Sequence, residues 1–437
     1  MRILSDICGG VNFVTAAVII LAGIYFAFRT DVVKRLTPSS VKNELFSGGI
    51  TRSSFRAFTA SLGGTVGVGN IIGVSAAVAI GGAGSIFWMC LAAVACMWIK
   101  YVEVHNAYSA SAERNTHPDG YSQAPMDMLL GCGKHGKGLA SAFALFGLVI
   151  SAFMGAMTQS GAVTDTLVGF FPDKGIPSWI YCLGFCLLVL FFSVGGNGRL
   201  LSAVEVMIPA MCGIYVIGCV AVIAMNISAL PSALKEIFVS AFSFRAGSGG
   251  LLGMGIVKAM GQGVAKGIFS NEAGLGTAPL AHGLSRDSSP EREGVWGAME
   301  VFIDTIVISG LTGIAIICGG YGETGRNAVL YLFRDSFGEL GGGFVWVSLV
   351  VFGLTSVLTW EYYCKCFAVY IYGNRRAISA TAAAVFFAAL FLGGVLEREG
   401  VWMLVEILNG GMAGINIVGN MIFISRRRKG IDLARKV

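Results

Sequence analysis

The sequence GGTVGVGNIIG, residues 63–73, lies inside a long apolar segment, and its glycines are spaced much like the G-x-G-x-x-G pattern. That pattern forms the phosphate-binding turn of dinucleotide-binding domains, where a strand precedes it and an acidic residue follows about 20 positions later. Here the following segment reads FWMCLAAVACMW (87–98), and the first acidic residue is Glu103. The surroundings therefore favour a glycine-rich membrane helix over a nucleotide-binding loop.

The composition indicates a protein that faces lipid. Of the 437 residues, 55% are hydrophobic and 13% are charged, with a mean hydropathy of +0.74, whereas soluble domains carry about 25% charged residues. The 62 glycines suit helices that pack closely through small residues. The net charge of +6 comes from short basic segments rather than from a stripe that would follow phosphates. We therefore expect membrane lipid, and no nucleic acid, as a partner.

The cysteines and histidines indicate neither a metal centre nor a catalytic site. The 11 cysteines form no C-x-x-C pair, and the four histidines form no H-E-x-x-H motif. No G-x-S-x-G motif is present either. The sequence therefore predicts no enzyme and no cofactor other than a coupling ion.

Eleven segments approach the length of about 20 apolar residues that a bilayer requires. In the first, basic residues follow the apolar stretch, whereas in a signal peptide they precede it, so we expect an uncleaved helix. The predicted segments are 8–28, 55–81, 84–108, 138–168, 177–195, 200–226, 251–282, 294–319, 339–372, 378–395 and 400–425.

The distribution of Lys and Arg predicts the orientation of these segments. With the N-terminus outside, the inner connections and the tail carry about twenty-one basic residues against about seven outside, as the positive-inside rule requires. The sequence thus predicts a multi-pass protein of the cell membrane with a cytoplasmic C-terminus.

The ten helices after the first divide into two groups of five, which open with GGTVGVGN (63–70) and with the helix that carries SNEAGLGTAP (270–279). Since five is odd, the second group enters the membrane from the opposite side. Glycine-interrupted helices at matching positions are typical of inverted-repeat transporters with a binding site at the midplane. The predicted parts of this all-α protein are an extra N-terminal helix with its cytoplasmic connection (1–54), the first repeat (55–226), an extracellular amphipathic connection (227–250), the second repeat (251–425) and a basic tail (426–437).

Two explanations compete for the glycines of the opening stretch: close helix packing, as the spacing of Gly63 and Gly67 allows, or an interrupted helix. Glycine costs about 1 kcal/mol relative to alanine inside a helix, and the polar Thr65 and Asn70 need partners at this depth. Peptide groups freed by a break are tolerated only where they line a cavity or bind a ligand. We favour a break whose helix N-terminus holds a carboxylate and whose free carbonyls coordinate Na⁺.

Four stretches of the chain resemble the alanine or glycine:cation symporter family of the amino acid–polyamine–organocation superfamily. They are TVGVGNIIGVSAAVAIGGAGSIFWM (65–89), GIFSNEAGLGTAPLAH (267–282), EVFIDT (300–305) and GGNGRL…VMIPAM…YVIG (195–218). The resemblance implies the ten-helix inverted-repeat fold of the neurotransmitter:sodium symporters, preceded here by one extra helix. It also implies uptake of a small neutral amino acid such as alanine or glycine, coupled to Na⁺ or H⁺.

The chain departs from the family pattern at several positions. The usual proline of GGPG is Ala83, the Asn of a Gln-x-Asn motif is Gly161, a usual Arg is Lys266, and a usual Gln is Glu293. The change at Gly161 alters the expected side-chain pocket. The substrate is therefore either alanine or glycine, or a different small amino acid or related zwitterion taken up with protons.

The two breaks and the resemblance together indicate the site residues. The expected substrate-binding residues are Thr65, Gly67, Gly69, Asn70, Gln159, Phe269, Ser270, Asn271, Gly274, Thr277 and Trp360, with Phe269 as a lid. The expected Na⁺ ligands are Gly63, Val66, Asn70, Thr355 and Ser356.

Several of these residues have a second, structural interpretation. Asn70 either ligates a cation or caps a helix, and the hydroxyls of Thr355 and Ser356 either ligate Na⁺ or bond to carbonyls one turn earlier in their own helix. Gln159 contacts the substrate or another helix, and Phe269 is a lid or a core aromatic residue.

Two acidic residues near the second break also need partners. We expect Glu272 to pair with a basic neighbour. Asp304 lies in the middle of a predicted membrane helix, where acidic residues are candidates for function. It is either a coupling acid, in which case the coupling ion is a proton, or the partner of Lys258 or Lys266.

The predicted mechanism is alternating access, with substrate and Na⁺ bound together at the two breaks. A channel is the first alternative, but neither a repeated filter nor rings of charge are evident. A ligand sensor is the second, and it would bind the amino acid without transporting it.

Overall fold

The computed structural model describes residues 2–46, 49–114, 120–170, 175–243, 254–396 and 399–429. Within these ranges all regular structure is helical and no strand is present. The predicted all-α class is therefore confirmed.

The helices of the first part are α1 (Arg2–Arg29), α2 (Val32–Arg35), α3 (Pro38–Phe46), α4 (Arg52–Thr65), α5 (Ile72–Gly81), α6 (Gly84–Arg114), α7 (Ala124–Leu130), α8 (Gly136–Ile150), α9 (Gln159–Phe170), α10 (Ser178–Ser193), α11 (Asn197–Met225) and α12 (Leu230–Ala241). Those of the second part are α13 (Met254–Asn271), α14 (Ala278–His282), α15 (Pro290–Val301), α16 (Gly310–Cys318), α17 (Ala328–Phe337), α18 (Glu339–Tyr372), α19 (Arg376–Val395) and α20 (Glu399–Arg428). Short 3₁₀ turns cover Val68–Asn70, Gly133–His135, Ile227–Ala229 and Gly325–Asn327, and π-helical stretches join α8 to α9 (Ser151–Thr158) and α15 to α16 (Phe302–Ser309).

Within the described residues, each of the eleven predicted segments coincides with a helix or with a run of adjoining helices; residues 251–253 of the seventh segment lie outside them. Among the described residues, seven helices are long and apolar enough to cross a membrane, and the bent pair α4–α5 makes an eighth. The apolar helices Val14–Arg29 and Ser178–Ser193 are shorter. The number of crossings and the five-plus-five repeat therefore remain predictions.

Local sequence signals fix the starts of two helices that reach the site. The hydroxyl of Thr51 accepts a hydrogen bond from the Ser54 amide at 3.2 Å and caps α4. Ser289 caps α15 in the same way, through the Arg292 amide at 3.1 Å, and Pro290 follows at the first helical position.

Small residues allow the helices around the site to approach one another closely. A Cβ atom placed on Gly263 of α13 would lie 2.2 Å from the Ser85 carbonyl oxygen of α6, and one on Gly155 would lie 2.4 Å from Trp360 Cβ of α18. No larger side chain fits at either crossing, as expected where membrane helices pack through glycine. Helix α18 lies inside the bundle and is buried without interruption from Phe352 to Val369.

Candidate substrate and ion site

The first break separates α4 from α5. Helix α4 ends at Thr65, Gly67 is extended, and a short 3₁₀ turn over Val68–Asn70 leads into α5. The two parts of this membrane segment differ in direction by 59°. The opening glycine stretch is thus a bent and interrupted helix.

Two backbone amides at this break are diverted from the helix to side chains. The Gly67 amide donates to Asn70 Oδ1 at 3.0 Å, and the Val68 amide donates to Gln159 Oε1 at 3.4 Å. In a continuous helix these amides would bond the carbonyl oxygens of Gly63 and Gly64, four residues earlier. The break therefore leaves carbonyl oxygens at the end of α4 without their helical donors. Asn70 caps the break, as one of its two interpretations predicted.

Helix α18 runs alongside these carbonyl groups. Ser356 Oγ donates to the Gly64 carbonyl oxygen at 3.3 Å, so this hydroxyl does reach the first break. The Thr355 hydroxyl instead bonds inside its own helix, to the carbonyl oxygens of Val351 and Phe352 at 3.0 and 3.1 Å. A Cβ atom on Gly63 would lie 3.0 Å from Thr359 Oγ1. Of the two predicted hydroxyl ligands, the structure thus brings Ser356 to the end of α4 and leaves Thr355 bonded within α18.

The second break separates α13 from α14. Helix α13 ends at Asn271, and the next segment contains three residues with positive φ: Glu272 at 52°, Gly274 at 87° and Gly276 at 75°. This conformation is uncommon for a residue other than glycine. Helix α14 begins only at Ala278. The second predicted interruption is therefore also present.

Glu272 is fixed by neutral donors. Thr277 Oγ1 donates to its Oε2 at 2.7 Å, and Trp360 Nε1 donates to its Oε1 at 3.1 Å. In the described part of the chain, no Lys, Arg or His nitrogen lies within 4 Å of this carboxylate. The predicted pairing with a basic neighbour is wrong because an indole from α18 and a hydroxyl from the same segment occupy both oxygens. Trp360 is itself fully buried.

Asp304 connects the two breaks. Asn70 Nδ2 donates to its Oδ1 at 2.7 Å, and Ser270 Oγ lies 3.1 and 2.9 Å from its two oxygens. Thr305 Oγ1 also donates to Oδ2, at 2.8 Å. The carboxylate is fully buried and is surrounded by neutral donors, which is one of the ways in which a buried charge becomes tolerable.

The predicted ion pair of Asp304 with a lysine is not formed. Lys266 instead lies 3.9 Å from Glu406 of α20, and neither Lys258 nor Lys266 has its nitrogen within 4 Å of Asp304. The hydrogen-bond partners of the Asp304 carboxylate at the two breaks are therefore Asn70 and Ser270.

Gln159 and Phe269 lie against the glycines of the first break. A Cβ atom on Gly67 would lie 3.1 Å from Gln159 Oε1, and one on Gly69 would lie 3.8 Å from the Phe269 ring. The Phe269 ring packs on Trp402 with a centroid distance of 5.1 Å. It also lines a cavity of about 40 Å³ between α1, α13 and α20. Phe269 thus stands between that cavity and the first break.

Four other predicted residues point elsewhere or are already bonded. The Thr65 hydroxyl donates to the Leu62 carbonyl oxygen of its own helix at 3.1 Å. Asn271 bonds Thr305 Oγ1 and the Ala273 amide. The Gly274 carbonyl oxygen accepts a bond from Asn416 Nδ2 of α20 at 2.8 Å, and Thr277 bonds Glu272. The Gly274 carbonyl group and the Thr277 hydroxyl are therefore both occupied by bonds within the protein.

Comparisons with known proteins identify the family of the chain. The model of the sodium:alanine symporter family matches residues 2–431. The chain belongs to the sodium:alanine symporter family. It is 35% identical to the sodium/alanine symporter AgcS of Methanococcus maripaludis over 402 residues, which cover 89% of this chain and 85% of AgcS.

Two solved structures share the fold of this symporter-family chain. The crystal structure of MhsT in complex with L-phenylalanine superposes with a TM-score of 0.58 at 15% identity, covering 87% of this chain and 90% of MhsT. A Na⁺-coupled sialic acid symporter, in a substrate-bound outward-open state, gives a TM-score of 0.56 at 15% identity, covering 94% and 86%. The chain is thus a membrane transporter of a family that couples amino acids to Na⁺, and it is not an enzyme.

Two buried polar groups of this transporter escaped the sequence analysis. Asn416 Nδ2 also donates to Glu103 Oε2 at 2.7 Å, and Glu103 lies 3.5 Å from Lys100 Nζ, so this group supports the second break from α6 and α20. The other group surrounds His282. Acidic residues within apolar helices were the available signal for both.

Among the described residues, no group of three or more His, Cys, Asp or Glu side chains has the arrangement of a metal site. In transporters with discontinuous helices, unwound backbone carbonyl groups coordinate the coupling Na⁺, and the first break leaves carbonyl groups of this kind at the end of α4.

Proposed function

We propose that this protein takes up a small neutral amino acid such as alanine or glycine together with Na⁺, by alternating access around the two breaks. The observation that carries the proposal is the set of bonds from Asp304 to Asn70 of the first break and to Ser270 of the second. Through this carboxylate, a change at either break acts directly on the other. That is the coupling which a symporter needs between its two bound solutes.

The substrate carboxylate binds at the first break. The Val68 amide now donates to Gln159 Oε1, a neutral oxygen in the position that a carboxylate oxygen would take. Helix N-termini stabilise such anions. On binding, the substrate replaces the Gln159 oxygen on the amide, and the freed carboxamide of Gln159 donates to the same carboxylate. Ser270 and Asn271 offer oxygens to the ammonium group.

The coupling Na⁺ binds between α4 and α18. Its ligands are the carbonyl oxygens of Gly63 and Val66, the Asn70 side-chain oxygen, and the hydroxyls of Thr355 and Ser356. The carbonyl groups left by the break and the reach of Ser356 to Gly64 support this set. Rotation of the Thr355 hydroxyl away from Val351 completes it.

The pocket admits only a small side chain. Gln159 already approaches Gly67 and the Phe269 ring approaches Gly69, so a substrate between them has little room beyond its backbone atoms. Phe269 closes the site toward the cavity beside α1.

The membrane arrangement proposed for this mechanism keeps the predicted eleven crossings, with α1 as the extra helix, an external N-terminus and a cytoplasmic tail. The inward Na⁺ gradient supplies the drive, and the membrane potential adds about 2.3 kcal/mol per charge per 100 mV.

Uptake into proteoliposomes tests the proposal. Purified protein is reconstituted, and a panel of radiolabelled neutral amino acids is offered with an imposed inward Na⁺ gradient, an inward proton gradient, or neither. We expect saturable accumulation of alanine or glycine only with Na⁺. Accumulation driven by protons alone would favour the proton-coupled alternative, binding without uptake would indicate a sensor, and non-saturable flux without accumulation would indicate a channel.

A further inference from the structure

Three ionisable side chains lie together, away from the proposed transport site, where α4, α14 and α15 meet. His282 ends α14, and Glu293 and Glu300 lie two turns apart on α15. None of the three side chains is exposed. The imidazole lies between the carboxylates: Nδ1 is 2.5 Å from Glu293 Oε2, and Nε2 bonds Glu300 Oε1.

Helix α4 is tied to the same cluster through the remaining carboxylate oxygens. Ser54 Oγ donates to Glu293 Oε1 at 2.5 Å, and Ser61 Oγ donates to Glu300 Oε2 at 2.9 Å. Helix α4 precedes the first break and α14 follows the second. The cluster therefore fastens one half of each interrupted helix to α15.

Hydrogen counting shows that this cluster carries a proton. A neutral imidazole has one N–H and one bare nitrogen, and an ionised carboxylate only accepts hydrogen bonds. With both ring nitrogens facing carboxylate oxygens, two hydrogens are needed between the ring and its neighbours. Either the imidazole or one carboxyl group must carry the additional proton, because a buried nitrogen lone pair facing a carboxylate would be costly.

We propose that His282, Glu293 and Glu300 form a proton-binding site that holds α14 and α4 against α15, and that loss of its proton releases these half-helices. The inference about transport rests on the proposed alternating access, in which the two half-helices move. The proton site itself does not depend on the identity of the substrate.

The other ionisable groups near the cluster come from two helices. Glu103, with its partner Lys100, and Tyr108 face it from α6, and Tyr363 faces it from α18, beside Ser61. In the described residues none of them hydrogen-bonds to the three side chains, so the proton is shared within the cluster.

Glu293→Gln removes the need for the additional proton while keeping the contacts. The side-chain amide introduced by this substitution would donate to Nδ1 of a neutral imidazole, whose Nε2–H still donates to Glu300. Glu113→Gln is the matched control, because Glu113 is an exposed residue of α6 that pairs with Arg427 at 2.9 Å.

The proton is observed directly by ¹⁵N NMR of histidine-labelled, full-length protein in detergent between about pH 5 and pH 9, with His282→Gln assigning the signal. In wild type and in Glu113→Gln at low pH, we expect each ring nitrogen of His282 either to carry a hydrogen or to accept a hydrogen bond. As the pH rises, one ring nitrogen should come to do neither. In Glu293→Gln the spectrum should keep one non-protonated nitrogen throughout. A wild-type spectrum that does not change with pH, or a Glu293→Gln spectrum that changes as wild type does, would overturn the proposal. The wild-type titration suffices if the variant does not fold.

The consequence for transport is measured by Na⁺-driven uptake over the same pH range. Wild type and Glu113→Gln should change rate by up to about tenfold per pH unit across the transition, as one proton requires, and Glu293→Gln by less than about twofold. Equal profiles in all three proteins would refute the link to transport. If no protein takes up amino acid with Na⁺ but the His282 titration appears, the proposed function is wrong and the proton site stands.

Discussion

Replacement of Asp304 by asparagine should uncouple the two breaks while leaving the shape of the site unchanged. The carboxylate accepts bonds from Asn70 Nδ2, Ser270 Oγ and Thr305 Oγ1. In Asp304→Asn the amide oxygen can keep the bond to Asn70. The amide nitrogen then faces the hydroxyls of Ser270 and Thr305, which must rotate to accept.

The size of the effect follows from these bonds. Hydrogen bonds to a charged group contribute about 1.5–3 kcal/mol and neutral ones about 1 kcal/mol, so weakening two of them costs about 2 kcal/mol. This corresponds to about a 30-fold loss in the rate of Na⁺-driven uptake at subsaturating substrate. Uptake is measured in proteoliposomes with Asp31→Asn as the control, since Asp31 is largely exposed and pairs with the exposed Lys34.

A double-mutant cycle with Ser270→Ala decides whether the bond itself matters. If the link between the breaks carries the effect, the two substitutions should be strongly non-additive, since each removes the same contact. Additive losses, or uptake by Asp304→Asn within about twofold of wild type, would refute this account of Asp304.

Three further substitutions test other parts of the site. Gln159→Ala should raise the substrate concentration for half-maximal uptake by about tenfold, since it removes one hydrogen bond to the carboxylate, and a change in the Na⁺ requirement alone would contradict this role. Ser356→Ala should raise the Na⁺ concentration for half-maximal uptake. Ser348→Ala, which removes a hydroxyl bonded within the same helix, should leave it unchanged, and equal effects would count against Ser356 as a Na⁺ ligand. Trp360→Phe leaves one oxygen of the buried Glu272 without its donor and should cost about 1–3 kcal/mol, seen as a lower melting temperature; unchanged stability would mean that the indole bond is not needed.

The positions of both breaks could be predicted from the sequence because their signals are local. Clustered glycines and polar residues within apolar segments are unfavourable in a continuous helix, so they indicate an interruption whatever the rest of the chain packs against them. The importance of Asp304 followed in the same way, from one acid in an apolar helix. Its actual partners, Asn70 and Ser270, lie 234 and 34 residues away, and only the packing of three helices reveals them.

The sequence predictions failed for side chains whose hydrogen-bond partners are distant in the chain and are brought together only by the fold. Glu272 was expected to need a cation, but its donor is the indole of Trp360, 88 residues away in the chain. His282 looked isolated because no motif spaces it from Glu293 and Glu300. Its carboxylate partners lie 11 and 18 residues later, on the next helix, so no periodicity within one helix places them beside His282.

Helix α1 lies beside the second break. A Cβ atom on Gly274 would lie 3.6 Å from Ile19 of α1 and 3.5 Å from Ile417 of α20. Both isoleucines are almost fully buried, so they cover this part of the unwound segment with apolar side chains. Because α1 and α20 both pack against Gly274, a displacement of the unwound segment would have to separate it from these two helices or carry them along.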